Sequence, residues 1–196
     1  MKNRVGKSGL VPRPAGFTLI EILVVIAIVS ILASILIPAA GHAQRSAKKR
    51  RAMVEMNSIK VAVLEFQRDH KYMPWPGDPE DPKVGSDMWT GSESQQEEVM
   101  KLLTGDNVLK KVYLQIPEKS RPSKTSLAFR DPWRQEYYRI GMDRNMDGVV
   151  LPDATLGAGE TYVKEKVLVY SLGDPDEKKD AKDKILKTFD IMASEE

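Results

Sequence analysis

The chain contains no cysteine. No disulfide can staple it, even in an oxidising compartment, and thiol chemistry is excluded. A domain that lies outside the cytoplasm and needs a staple would use a metal instead. Histidine is almost as scarce, with only His42 and His70. No serine motif accompanies them, so no enzyme is expected. Aromatic residues make up 7% of the chain, and scattered apolar positions must supply the rest of a small core. A dominant charge sign is also missing: the formal net charge is +2. Four basic residues, Lys2, Arg4, Lys7 and Arg13, stand near the start with no acid among them. The remainder is close to neutral, which gives no reason to expect a nucleic acid or another polyanion as a general partner.

In contrast, one long apolar run is present. Phe17 to Ile37 covers 21 residues, and Glu21 is its only charge. About 20 apolar residues in a helix cross a bilayer core. A carboxylate inside such a run costs on the order of a few kcal/mol near the middle and less at the edge, so a partner for Glu21 is expected. Residues 1–16 carry Gly6, Gly9, Pro12, Pro14 and Gly16, and read as a leader to be removed. The alternative is an ordinary secretory signal with a weak small-residue cleavage pattern at Gly41-His42-Ala43. Its apolar core would be unusually long, since about 7–15 residues are typical, and it would contain an acid.

The basic leader, the string Gly16-Phe17-Thr18-Leu19-Ile20-Glu21, and Pro38 at the end of the run resemble the class III signal of type IV pilins and type II secretion pseudopilins. That resemblance implies cleavage between Gly16 and Phe17 by a prepilin peptidase, with N-methylation of Phe17. After such a cut, the Phe17 amine and the Glu21 carboxylate lie about one helical turn apart. Between staggered neighbours, Glu21 of one subunit could neutralise the amine of the next, offsetting much of the cost of burying either charge. Glu21 and Pro38 are therefore the expected assembly residues. The implied partners are further copies in a helical fibre, other pseudopilins or pilins, the peptidase, an inner-membrane assembly platform and membrane lipid. Positive charge marks the cytoplasmic side, yet Arg45, Lys48, Lys49, Arg50 and Arg51 follow the run as well. Charge alone does not orient the chain. The resemblance implies a single-pass inner-membrane protein with its C-terminal domain periplasmic, or extracellular after assembly.

Beyond Pro38, Ala52, Met56, Ile59, Val63 and Phe66 recur at alternating spacings of four and three, one face of an amphipathic helix. Pro74, Pro76, Gly77, Pro79 and Pro82 end that pattern near Tyr72. The segments expected are 17–37 as the apolar half of one long helix, 38–71 as its amphipathic half and 72–196 as a globular domain. Within that domain the pattern predicts a loop over 72–93, a helix over 94–103 stopped by Gly105, a short strand over 111–116 and a polar loop over 117–125. Strands are expected over 136–142 and 162–171, joined as a hairpin by an Asp- and Gly-rich turn, with a further short strand within 184–190. The fold class is α+β, a long N-terminal helix packed on a small antiparallel sheet. The basic cluster at 45–51 invites a nucleic-acid reading, but Lys and Arg stems at the headgroup level of a membrane account for it better.

Two loops could hold Ca²⁺. Asp143, Asn145 and Asp147, followed by Gly148, match the first positions of an EF-hand-type loop, with Val149 as a backbone donor. Ala154 stands where the closing acid would be, and Asp153 falls one residue early. A polar hairpin turn is the competing reading. The second loop follows Tyr170-Ser171-Leu172-Gly173. Together with Asp131-Pro132-Trp133 and Tyr137-Tyr138, it resembles the major pseudopilin of type II secretion, which implies a Ca²⁺ site using Asp174, Asp176, Asp180, Asp183 and the Leu172 carbonyl. Two departures stand out: Arg134 occupies the position where the family has glycine, and Asp174-Pro175-Asp176 replaces its usual run. A solvated loop of mixed charge is the competing reading here. The function expected is a structural subunit of a secretion pseudopilus. A type IV pilus or DNA-uptake pilin is the near alternative, and a non-polymerising membrane-anchored binding module is the distant one.

Overall fold

The structure, a computed structural model, describes residues 16–75, 87–134, 136–151, 163–177 and 185–188. The leader residues 1–15, Asp153, Asp180 and Asp183 lie outside the described residues, as does the side chain of Pro38. The chain divides into two compact units, Met1–Ala43 and Gln44–Glu196.

Helix α1 runs over Leu19–His70. In the first unit its apolar side chains are exposed: Leu19, Ile20, Ile28 and Ile37 are all more than half accessible. That segment is long and apolar enough to cross a membrane by length and composition. In the second unit the helix has two unlike faces, as its spacing predicts. Ala52, Met56, Ile59, Val63 and Phe66 are fully buried, whereas Val54 and Val61 are exposed.

The buried face of α1 meets α2 (Glu93–Leu103) through Val99, Met100 and Leu103. Helix α2 begins where the Ser92 side chain caps the Gln95 N–H, and it ends before Gly105, whose φ of +119° suits glycine. Its start is one residue earlier than the sequence pattern predicts. Gln96 lies fully buried on α2 and bridges to the Phe129 backbone, donating to its carbonyl and accepting from its N–H, both at 2.9 Å.

Four strands form one antiparallel sheet in the order β1 (Met88–Trp89), β2 (Arg139–Met142), β3 (Val167–Ser171), β4 (Leu186–Lys187). The expected hairpin is β2 against β3, with Ile140 opposite Val169 and Met142 opposite Val167. Every residue of β3 is buried. Side chains alternate across a strand, so Val167 and Val169 join α1 and α2 on one face while Leu168 and Tyr170 pack with Val150, Val163 and Trp89 on the other.

Two expectations are corrected. The stretch 111–116 forms no strand: the Tyr113 and Leu114 N–H groups both donate to the Leu103 carbonyl, and among the described residues no neighbouring strand supplies a ladder. It is tied instead to the end of α1, where Asp69 accepts from Lys111 Nζ at 2.6 Å and from the Tyr113 hydroxyl at 3.1 Å. These donors, Lys111 foremost, pull the Asp69 carboxyl down to about 2. Conversely, the loop expected over 72–93 contains β1. Two residues carry no periodic signal, and what fixes them is tertiary: Trp89 lies flat over Gly141 of β2, where an added Cβ would come within 2.5 Å of the indole. A short 3₁₀ turn over Glu118–Ser120 interrupts the polar loop.

Candidate functional site

The N-terminal segment has its own local chemistry. The Thr18 N–H and hydroxyl both donate to the Glu21 carboxylate, at 2.8 and 2.7 Å, and the Glu21 N–H returns a bond to the Thr18 hydroxyl at 3.3 Å. This is a capping box, in which a threonine and an acid three residues on satisfy donors that a helix start leaves open. In the uncut chain Thr18 thus satisfies the Glu21 carboxylate. In the sequence, Thr-x-x-Glu just ahead of an apolar run was the available signal. Gly16 has open space around it, and Phe17 is 82% exposed, so the junction between them is sterically open.

The basic cluster after the apolar run is largely engaged. Lys49 lies 2.9 Å from both oxygens of Glu177 and donates to Oε1. Arg45 stands 4.0 Å from the buried Asp174. Arg51 reaches into a buried network, donating to Glu55 at 2.8 Å and to the Ser120 hydroxyl at 2.6 Å. The Tyr138 hydroxyl donates to the other Glu55 oxygen at 2.6 Å. Burial, then the bond to Glu55, pushes the Tyr138 phenol far above its ordinary range. Lys48 and Arg50 carry the remaining positive charge, and Arg50 is exposed.

Of the two acidic loops, the first is folded tightly on itself. Asp143, fully buried, accepts from the N–H groups of Asp147 and Gly148 at 3.2 and 2.9 Å. Asn145 accepts from the Asp147 N–H and donates to the Asp147 carboxylate, which in turn accepts from the Val149 N–H. Left-handed φ values at Met146 and Gly148 close the turn. The structure adds a residue that sequence reasoning missed. Asp87, 56 positions before Asp143, brings a third carboxylate, and one oxygen from each of Asp87, Asp143 and Asp147 lies within 4.8 Å of the others. Asp87 Oδ2 accepts from the Leu151 N–H at 2.8 Å, while its buried Oδ1 has no partner among the described residues. Burial, joined by the charges on Asp147 and Asp143, pushes the Asp87 carboxyl up. No local motif marks Asp87; pairing of β1 with β2 is what delivers it.

The second loop is assembled differently. Asp174 accepts from the Asp176 N–H at 3.1 Å, and Asp176 is exposed. Asp174 and Glu177 face Arg45 and Lys49, so cationic side chains already stand beside these carboxylates. Upstream, Asp131 is 1% exposed and binds the Ser171 hydroxyl at 2.9 Å and the Trp133 N–H at 3.2 Å. Burial pushes its carboxyl up. Arg134 has a φ of +62°. The Asp-Pro-Trp turn therefore requires a left-handed residue at that position, which is the physical reason for the glycine that the resemblance leads one to expect.

Comparison with known proteins bears on the apolar end. Residues 12–37 match the prokaryotic N-terminal methylation motif. The chain carries a prepilin-type N-terminus. Over 73 residues it is also 34% identical to the type II secretion system core protein G of Pectobacterium carotovorum subsp. carotovorum, a match covering 37% of this chain and 46% of that one. The match thus spans about half the length of that curated relative. No solved structure matches the chain. With this N-terminus, a long helix and a four-stranded antiparallel sheet, the α+β fold is pilin-like.

Proposed function

We propose that this chain is a structural subunit of a type II secretion pseudopilus rather than an enzyme. On this reading it is inserted in the inner membrane by residues 17–37, cut by a prepilin peptidase between Gly16 and Phe17, and methylated on the new Phe17 amine. It then polymerises through its N-terminal helix beside other pseudopilins on an inner-membrane platform, with the domain from Gln44 onward in the periplasm. The observation that carries the reading is the methylation motif lying on a helix whose apolar side chains are exposed among the described residues. Lipid before assembly, and neighbouring helices after it, would bury them. Glu21 adds a register: cleavage places a new ammonium close to its carboxylate, in competition with the Thr18 cap. Engagement of Arg45, Lys49 and Arg51 by carboxylates of the domain speaks against a nucleic-acid stripe. Glu21→Val is the test. Stable membrane insertion with loss of fibres supports the reading, and unchanged fibre formation refutes it. A type IV pilus role would differ in the machine that such fibres serve.

Calcium is the proposed ligand of the Asp87–Asp143–Asp147 cluster. A hard cation that takes about 6–8 oxygens suits three close carboxylates, one of them with a buried oxygen that has no partner among the described residues. The loop after Gly173 is the alternative location, through Asp174, Asp176, Asp180 and Asp183. Thermal melting followed by tryptophan emission, with Ca²⁺ and with chelator, tests both. Ligand at about 100-fold its Kd would stabilise by about 2.7 kcal/mol. Asp87→Asn should abolish the shift if the cluster is the site, and Asp174→Asn if the later loop is. No shift in the parent removes calcium.

A further inference from the structure

On the solvent side of α1, Val54, Asn57, Ser58, Val61, Ala62 and Glu65 form one wall of an open groove of about 570 Å³, with Leu114 and its neighbours opposite. Val54 is 66% and Val61 54% exposed. Their spacing of seven repeats the pattern of a helix seam that packs on a partner. A turn of the same unit exposes two aliphatic side chains. Val108 is 82% and Leu109 54% exposed, and Lys110 follows in a left-handed conformation at φ +51°. Hydrogen bonds brace that turn: the buried Asn107 side chain donates to the Leu102 and Lys111 carbonyls, both at 2.7 Å, and accepts from the Lys111 N–H. Two adjacent aliphatic side chains held in water on a strained, preorganised turn fit a docking element better than a solvent loop.

We infer that the Val108–Leu109 tip of one copy seats in the Val54–Val61 groove of a second copy, with Lys110 of the tip meeting Glu65 of the groove. The charges in this pairing are complementary, and Glu65 already lies in the field of Lys111 of its own copy. Among the described residues Lys110 has an exposed, 3.6 Å contact with Asp106 to give up, and such pairs are weak. Lys111, by contrast, stays committed to Asp69. The tip and the groove are different patches, so the contact is heterologous, and a heterologous contact that does not close on itself propagates as a filament. The inference rests on the fibre reading above only in expecting copies to lie side by side, and it names the domain surfaces that meet.

The absence of cysteine makes the test clean. Full-length chain carrying Val61→Cys and Val108→Cys together is oxidised in native membranes and run on a non-reducing gel. Expected is a ladder with steps of one chain mass, much weaker for either single variant, and with Glu65→Lys added the ladder should fade and then return with Lys110→Glu. Product migrating as monomer, dimers from Val108→Cys alone, or no product overturns the inference. Fibre counts on the cysteine-free parent distinguish that outcome from failure of the fibre reading: fibres without a ladder discard the groove alone, and no fibres and no ladder discard both.

Discussion

Replacing Tyr138 by phenylalanine removes a single oxygen from the centre of the domain. The ring itself is fully buried and packs edge-on against Phe129 at 5.2 Å, so the variant keeps its apolar contacts. What it loses is the 2.6 Å bond to Glu55, an acid only 8% exposed. Bonds to a charged group contribute about 1.5–3 kcal/mol, and the loss leaves one carboxylate oxygen under-satisfied. Arg51 and Ser120 remain on the other oxygen, at 2.8 and 3.4 Å, which argues for about 2 kcal/mol rather than the upper limit. For a unit of this size each kcal/mol lowers Tm by roughly 2–4 °C. Trp75, Trp89 and Trp133 all lie in the second unit, so urea titration by tryptophan emission reads this domain without interference from the apolar helix. Glu55→Gln combined with Tyr138→Phe should cost less than the two singles added together, because they share one bond. A Tyr138→Phe variant within about 0.5 kcal/mol of the parent would refute the argument, since that is the range of inconsequential surface changes. Alkaline titration gives a second check. The folded phenol holds its proton beyond the unfolded value, so the folded state binds more protons above that value and stability falls as pH rises. Tyr138→Phe should flatten this fall.

Gly141→Ala should destabilise by about 1–3 kcal/mol through overpacking, and the Trp89 emission should shift, because the new methyl drives the indole off the sheet. Arg134→Gly should raise stability by about 0.5–1 kcal/mol in the same urea titration, since glycine tolerates the left-handed turn; a loss would mean that the Arg134 bond to the Lys119 carbonyl outweighs backbone strain. Asp131, whose carboxyl is pushed up by burial, should make stability decline as pH rises from the unfolded carboxylate value through the folded one. Asp131→Asn should remove that slope between melts taken at acidic and neutral pH.

The parts of the fold legible in the sequence were those with a period. Ala52 to Phe66 announce a helix face by spacing alone, and the Tyr- and Val-rich segments around Ile140 and Val169 announce a hairpin. Val112, Leu114 and Ile116 alternate in sequence as a strand's residues do, but the Tyr113 and Leu114 N–H groups go to the Leu103 carbonyl, a contact that no local pattern reveals. Asp143, Asn145 and Asp147 were visible as a group because they lie within five residues. Asp87 was not, because its place depends on two residues of β1 meeting β2. Thr18 and Glu21 mark a capping box by their spacing of three, which is legible without any tertiary contact.

The contacts between α1 and the rest of its unit also set how the domain answers a pull. Apolar contacts from Ala52 to Phe66 run along the helix axis. Ion pairs from Arg45 and Lys49 to Asp174 and Glu177, the Arg51 hydrogen bond to Ser120 and the Lys60–Glu165 pair add ties spread over residues 45–60. A force directed along α1 would therefore shear all of them at once instead of peeling them one by one. Forced unfolding follows the barrier and not the equilibrium stability, so this domain should resist axial tension far beyond what its small core suggests and yield to a sideways load much sooner.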